Sequence, residues 1–152
     1  MRTGDSPPFV SPDVRKLVPL KRLESISIEA DTFEACNLAN LAQIGALNSL
    51  SLAGTPRATL SSRDARSISQ LPRIQYLALY RIDMHDDALA SLSASESIEY
   101  LTLVDTPVHA SAIIDGDGFK GLRTLHFVDA GLSKGDVNRI RNKFPMAIVV
   151  GD

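Results

Sequence analysis

One apolar pattern, L-x-x-L-x-x-L-x-L with Ile or Phe in place of some leucines, recurs along this chain and leaves few folds open to it. It reads Leu20, Leu23, Ile26, Ile28; then Ile44, Leu47, Leu50, Leu52; then Leu71, Ile74, Leu77, Leu79; then Ser95, Ile98, Leu101, Leu103; then Phe119, Leu122, Leu125, Phe127. Ser95 alone breaks the apolar set. The leading positions 20, 44, 71, 95 and 119 are 24, 27, 24 and 24 residues apart. A unit this short cannot bury its own apolar side, so successive units must stack and close one continuous core. Within each unit the last two framework positions alternate with polar residues, the period of a strand with one face buried.

Two segments carry a family likeness: Leu50-Ser51-Leu52-Ala53-Gly54-Thr55-Pro56 and Leu101-Thr102-Leu103-Val104-Asp105-Thr106-Pro107. With the repeat period, they resemble the leucine-rich-repeat family in a bacterial variety with Thr-Pro after the strand, over about residues 20–152. The familiar pattern has Asn or Cys three residues beyond the L-x-L pair. Here those positions hold Asp31, Thr55, Ile82, Thr106 and Ala130, so the curvature and loops of the better-known subclasses do not carry over. The resemblance implies an α/β fold: a right-handed leucine-rich-repeat solenoid, with a parallel sheet of five or six short strands on its concave face and helices or turns on its convex face.

Start and stop signals divide the chain further. Ser11-Pro12-Asp13 marks a cap helix over 11–19, with Pro at a favoured first position. Asp83 is placed to cap a short helix through Leu89 and Leu92, and Ser133 with Asp136 forms a capping box with Asp in place of Glu. The segment 133–152 closes the array as a C-terminal cap ending in a truncated strand. Residues 1–10, with Pro7-Pro8, read as a flexible segment before a single domain over 11–152.

With 152 residues, 44% apolar and 22% charged, the chain is sized and composed for one folded domain. Sixteen Lys and Arg stand against 18 Asp and Glu, and this near balance supplies no electrostatic drive toward nucleic acid or an anionic membrane. No apolar run reaches the roughly 18 residues of a spanning helix. A single cysteine and no apolar leader point to the cytoplasm.

Catalysis or metal binding needs reactive side chains in mutual reach. His85-Asp86-Asp87 reads as a solvated first helical turn rather than a metal site, since adjacent residues diverge and no second His lies at ligand spacing. Asp105, His109 and Ser111 hold the residue types of a hydrolase triad, yet no nucleophile elbow surrounds the serine. Asp115-Gly116-Asp117-Gly118 lacks the later Glu of a calcium loop and reads as a turn. Cys36, between Phe33 and Leu38, reads as a small core residue. These readings describe a protein that is not an enzyme and needs no cofactor or metal.

The positions that alternate with the buried framework are more informative. They are Ser25, Ser27, Glu29; Ser49, Ser51, Ala53; Tyr76, Ala78, Tyr80; Tyr100, Thr102, Val104; and Thr124, His126, Val128. All three tyrosines of the chain fall here. Tyr76 and Tyr100 take equivalent places on adjacent strands, about 5 Å apart, and Tyr80 lies beside Val104. Such residues are good strand formers in their own right, and they are also the type that anchors interfaces. The candidate site is therefore Tyr76, Tyr80, Tyr100, Val104 and His126, with Gln75, Arg81, Glu99 and Arg123 as a polar rim. The function expected is non-catalytic binding of a protein or peptide. Two alternatives stand beside it: the recognition segment of a larger regulatory or enzymatic protein, and a structural domain that self-associates.

Overall fold

The computed structural model describes residues 12–151. The first five strands fall where two framework residues alternate with outward ones, β1 Ser25–Ala30, β2 Ser49–Leu60, β3 Tyr76–Met84, β4 Tyr100–Val104 and β5 Thr124–Val128, and a short sixth, β6 Ile148–Val150, follows with only Val149 turned inward. They form one parallel sheet in chain order. Parallel neighbours require a crossover between them, and the intervening segments supply it. Two 3-10 turns, Glu34–Cys36 and Leu38–Gln43, follow β1; then come α1 Ser62–Ser69, α2 Asp86–Ser93, α3 Ala110–Ile114 and α4 Lys134–Lys143. Strand residues Leu50, Leu52, Leu77, Leu79, Leu101, Leu103, Leu125 and Phe127 join Ala65, Ile68, Leu89, Leu92, Ile113 and Ile140 of the helices in a single buried cluster. The helices thus cover one face of the sheet and leave the other open.

The longer second spacing has a local cause. Ala53 pairs with Tyr80, but the next paired residue, Ala58, sits opposite Ile82. Residues 54–57 of β2 thus face Arg81 alone, and the three additional residues of this repeat are spent as a bulge. Gly54 is required there, since a Cβ would overlap the Arg81 carbonyl oxygen and the Ala58 backbone nitrogen. In the next three repeats a left-handed residue stands two places beyond the last framework leucine or phenylalanine: Arg81 (φ 53°) within β3, and Asp105 (φ 46°) and Asp129 (φ 50°) immediately after β4 and β5. Aspartate tolerates that region better than most residues; Arg81 does not share this advantage.

The framework exception is accommodated in the core. Ser95 is buried, with its Oγ 3.3 Å from Ser97 Oγ, and Ser97 Oγ donates to the Leu71 carbonyl at 3.1 Å. Thr106 is likewise buried: its hydroxyl lies 3.1 Å from the Val104 carbonyl and 3.3 Å from that of Leu79, and it accepts from the Ile82 N–H at 3.4 Å. It ties the fourth repeat to the third.

The ends differ from the expectations in part. In place of a cap helix over 11–19 stands one 3-10 turn, Val14–Leu17, capped by Asp13, whose side chain accepts from the Arg15 N–H. Ser11 and residues 1–10 lie outside the described residues. Leu20, the first framework position, is 52% exposed, and only Leu23, Ile26 and Ile28 of its repeat pack inward. At the other end the capping box is formed, with Ser133 Oγ accepting from the Asp136 N–H and Asp136 Oδ2 from the Ser133 N–H, both at 3.1 Å. The short strand β6 follows it. Asp83 does not cap α2. The N-cap is His85, which makes no side-chain capping bond, because Asp83 belongs to β3.

Candidate binding face

Strand register places the outward residues in three columns across the open face. Ser25, Ser49, Tyr76, Tyr100, Thr124 and Ile148 form the first; Ser27, Ser51, Ala78, Thr102, His126 and Val150 the second; Glu29, Ala53, Tyr80, Val104 and Val128 the third. The columns are those the sequence spacing gives, extended by one strand. Tyr76 and Tyr100 stack with ring centroids 4.5 Å apart and planes 8° from parallel, close to the spacing between neighbouring strands. Their ring normals therefore run along the inter-strand direction. Tyr76 remains 46% exposed, since its neighbour on the β2 side is Ser49.

The rim residues divide between the two ends of the strands. Gln75, Glu99 and Arg123 stand just before β3, β4 and β5, where Glu99 N–H donates to the Gln75 carbonyl at 2.9 Å and Arg123 N–H to the Glu99 carbonyl at 2.7 Å. Their side chains differ in availability, because Arg123 Nε pairs with Glu99 Oε2 at 2.9 Å. Arg81 stands at the opposite end, and its Nε donates to the Gly54 carbonyl at 3.0 Å. It holds the β2 bulge closed and is not a neighbour of the Tyr76–Tyr100 stack along the strand.

Two features of the face lie beyond what the repeat pattern conveys. The first is Arg57, carried out on the bulge, which binds Asp83 at 2.7 Å and Asp105 at 2.6 Å. The two carboxylates, Asp83 first, raise its guanidinium further above its ordinary range. The irregular 27-residue spacing is the available signal, since extra residues after a strand place a side chain over the neighbouring repeats. The second is the groove of about 550 Å³ before β1–β4, lined by Glu24, Asn48, Arg73, Gln75, Glu96 and Glu99. A larger cavity of about 720 Å³ lies away from the open face, between the first 3-10 turns and α1. Its polar lining is largely engaged internally: Ser61 Oγ donates to Asp64 Oδ2 at 2.7 Å, and Asn40 bonds the Asn37 carbonyl and Gln43. For this reason the open face, with its exposed aromatic stack, is the better candidate.

The reactive groups are dispersed. His109 Nδ1 lies 3.0 Å from Asp86 Oδ1, Asp105 is taken by Arg57, and Ser111 lies within α3. Asp115, Gly116 and Asp117 form a bend before the next strand. Cys36 is buried, with its Sγ 3.5 Å from the Thr32 carbonyl, and burial pushes its thiol up to about 11. Among the described residues no group of three or more His, Cys, Asp or Glu is placed to hold a metal ion, and no helix is long and apolar enough to cross a membrane.

The alternation of short parallel strands with turns and helices, in chain order, is the arrangement of leucine-rich-repeat structures. A leucine-rich-repeat protein of Leptospira interrogans superposes with a TM-score of 0.50 at 16% identity, over 88% of this chain and 38% of that one. The chain thus spans well under half of that protein's length. The C-terminal domain of a Caenorhabditis elegans tropomodulin superposes with a TM-score of 0.48 at 16% identity, over 88% of this chain and 92% of that domain. No protein-family model and no curated protein matches the sequence. The first likeness shows a leucine-rich-repeat-like fold and nothing finer.

Proposed function

We propose that the chain is a non-catalytic module that binds a protein or peptide on the concave face of a right-handed leucine-rich-repeat solenoid. One observation carries this reading: Tyr76, Tyr80 and Tyr100 stand together on the open face, and the stacked pair leaves Tyr76 46% exposed. Strand propensity accounts for tyrosine on a sheet. It does not account for all three being on the open face of adjacent repeats. Aromatic groups on a pre-formed surface anchor interfaces because they desolvate a large area at little cost in conformational entropy. The face is broad and shallow, which suits an extended chain or a protein surface better than a small molecule.

The test is a pull-down in parallel with the wild-type chain and the variant carrying Tyr76→Ala, Tyr80→Ala and Tyr100→Ala, after circular dichroism shows both folded. Proteins retained by the wild type and lost with the variant support the reading. Retention of the same proteins by both removes the site from this face.

A second reading has its own observation. Among the described residues β6 is an end strand, with Ile148 65% and Met146 93% exposed, and an apolar edge of this kind is a template for pairing with a second copy. Self-association by this route requires the mass in solution to rise with concentration, and Ile148→Lys to abolish the rise.

A further inference from the structure

The open face also constrains the chemistry of its occupant, on the premise that it is the binding face proposed for this chain. In the first column the side chains run Ser25, Ser49, Tyr76, Tyr100. Because the ring normals lie along this column, one face of Tyr76 is covered by Tyr100 and the other looks out over Ser49 and Ser25. Two serines cannot cover a phenol ring. They form a low shelf beside an open aromatic face.

The charges around that shelf have one predominant sign. None of the 16 Lys and Arg residues occupies a position in the three columns, where Glu29 is the acid. The groove of about 550 Å³ beginning immediately before the shelf carries Glu24, Glu96 and Glu99 against Arg73. Arg123 pairs with Glu99, so that within the groove lining Glu24, one residue before Ser25, and Glu96 stand against Arg73. An aromatic face open on one side, with carboxylates at its margin and no cation in the sheet columns, attracts a planar cation. The ring quadrupole favours it at the face, the carboxylates favour it at the edge, and guanidinium is flat and weakly hydrated enough to stack.

We infer that the open face takes an arginine-bearing peptide segment, its guanidinium stacked on the exposed face of Tyr76 above Ser49 and directed toward the Glu24 side of the groove. Lysine enters the same place less well, as a compact and strongly hydrated charge that does not stack. An acidic segment is repelled.

The experiment selects random 12-residue peptides on the immobilised full chain and re-measures the enriched ones on single variants that circular dichroism shows folded. Peptides released by Tyr100→Ala are expected to be rich in arginine. Replacing their arginine by citrulline, which keeps the shape and removes the charge, weakens binding about tenfold, on the scale of a partly desolvated cation–π contact. Ser49→Leu fills the shelf against the open face of Tyr76 while leaving both tyrosines in the sequence, and it produces a similar loss. Glu24→Gln produces a smaller one that disappears at high salt. Peptides that depend on the tyrosines yet show no excess of arginine, or bind Ser49→Leu unchanged, overturn this inference and leave the binding face standing. Peptides indifferent to Tyr76→Ala, Tyr80→Ala and Tyr100→Ala, or a library that yields no binder, overturn both.

Discussion

Thr55 and Thr106 sit in the same sequence context, each followed by proline and each three residues beyond an L-x-L pair, and the structure gives their hydroxyls opposite situations. Thr106 Oγ1 lies within hydrogen-bond reach of the Leu79 and Val104 carbonyls and of the Ile82 N–H, in the interior. Among the described residues, Thr55 Oγ1 is buried without a partner. Valine has the shape of threonine without the hydroxyl, so the pair of substitutions isolates the polar term. Thr106→Val removes the acceptor of a buried N–H and the donor for a carbonyl. An unpaired buried group costs about 1–3 kcal/mol, and with the Ile82 bond as long as 3.4 Å the lower part of that range applies, about 1–2 kcal/mol. For a chain of this length that is a fall in Tm of roughly 3–6 °C. Thr55→Val relieves an unpaired hydroxyl and leaves Tm unchanged or raises it by up to about 3 °C. Urea titration, with midpoints compared at constant m-value, ranks the two variants in stability. Equal losses from the two variants, or the greater loss from Thr55→Val, would refute the assignment of partners.

Other parts of the molecule carry three more expected outcomes. Cys36 is expected to resist alkylation at pH 8 in the native chain and to react at least about a hundredfold faster in urea, because burial and a thiol shifted up to about 11 both deny the reagent a thiolate; similar rates in both conditions would disprove it. Ser133→Ala removes the α4 cap and lowers stability by about 1 kcal/mol, read from the urea midpoint. In acid, Asp13 is held down to about 2, chiefly by its hydrogen bonds from Arg15, while Asp87 and Asp136 are held low chiefly by Ser62 and Ser133. A depressed folded value means that these groups favour the fold above the ordinary carboxylate range and that the contribution is lost as pH falls through the folded value. The urea midpoint should therefore drop between about pH 4 and pH 2, and should drop less steeply in D13N.

The fold is legible in the sequence because its signal is redundant. Four framework residues repeated five times determine the strands, their parallel order and their register, and no one residue is indispensable to the pattern: Ser95 breaks it and is simply tied to Ser97, which bonds Leu71. The capping box of α4 is readable for a different reason, since it is local and needs only two side chains three residues apart. Asp83 and the N-terminal cap mislead because local chemistry has competitors there. Asp83 has the right type for an N-cap, but β3 extends through it and Arg57 claims its carboxylate from 26 residues away. Nothing near Asp83 in sequence announces that partner.

The candidate face shows the same division between what repeats and what is sporadic. Which residues share a column follows from spacing alone, so the 24 residues between Tyr76 and Tyr100, one repeat, already set the two rings side by side. Whether a side chain in a column is available depends on its neighbours in adjacent repeats, and those differ at every position. Its place after Tyr80 puts Arg81 on the rim in the sequence, yet a left-handed backbone and the Gly54 carbonyl draw it into the bulge. Glu99 and Arg123 are two rim charges in the sequence and one ion pair in the fold. Ser49, unremarkable in sequence, acquires its interest from being small where the next strand carries a ring. A repeat scaffold thus makes its framework readable from one sequence, while what distinguishes one part of its surface from another lies in the departures from the repeat, the bulge, the ion pair and the small residue beside a ring.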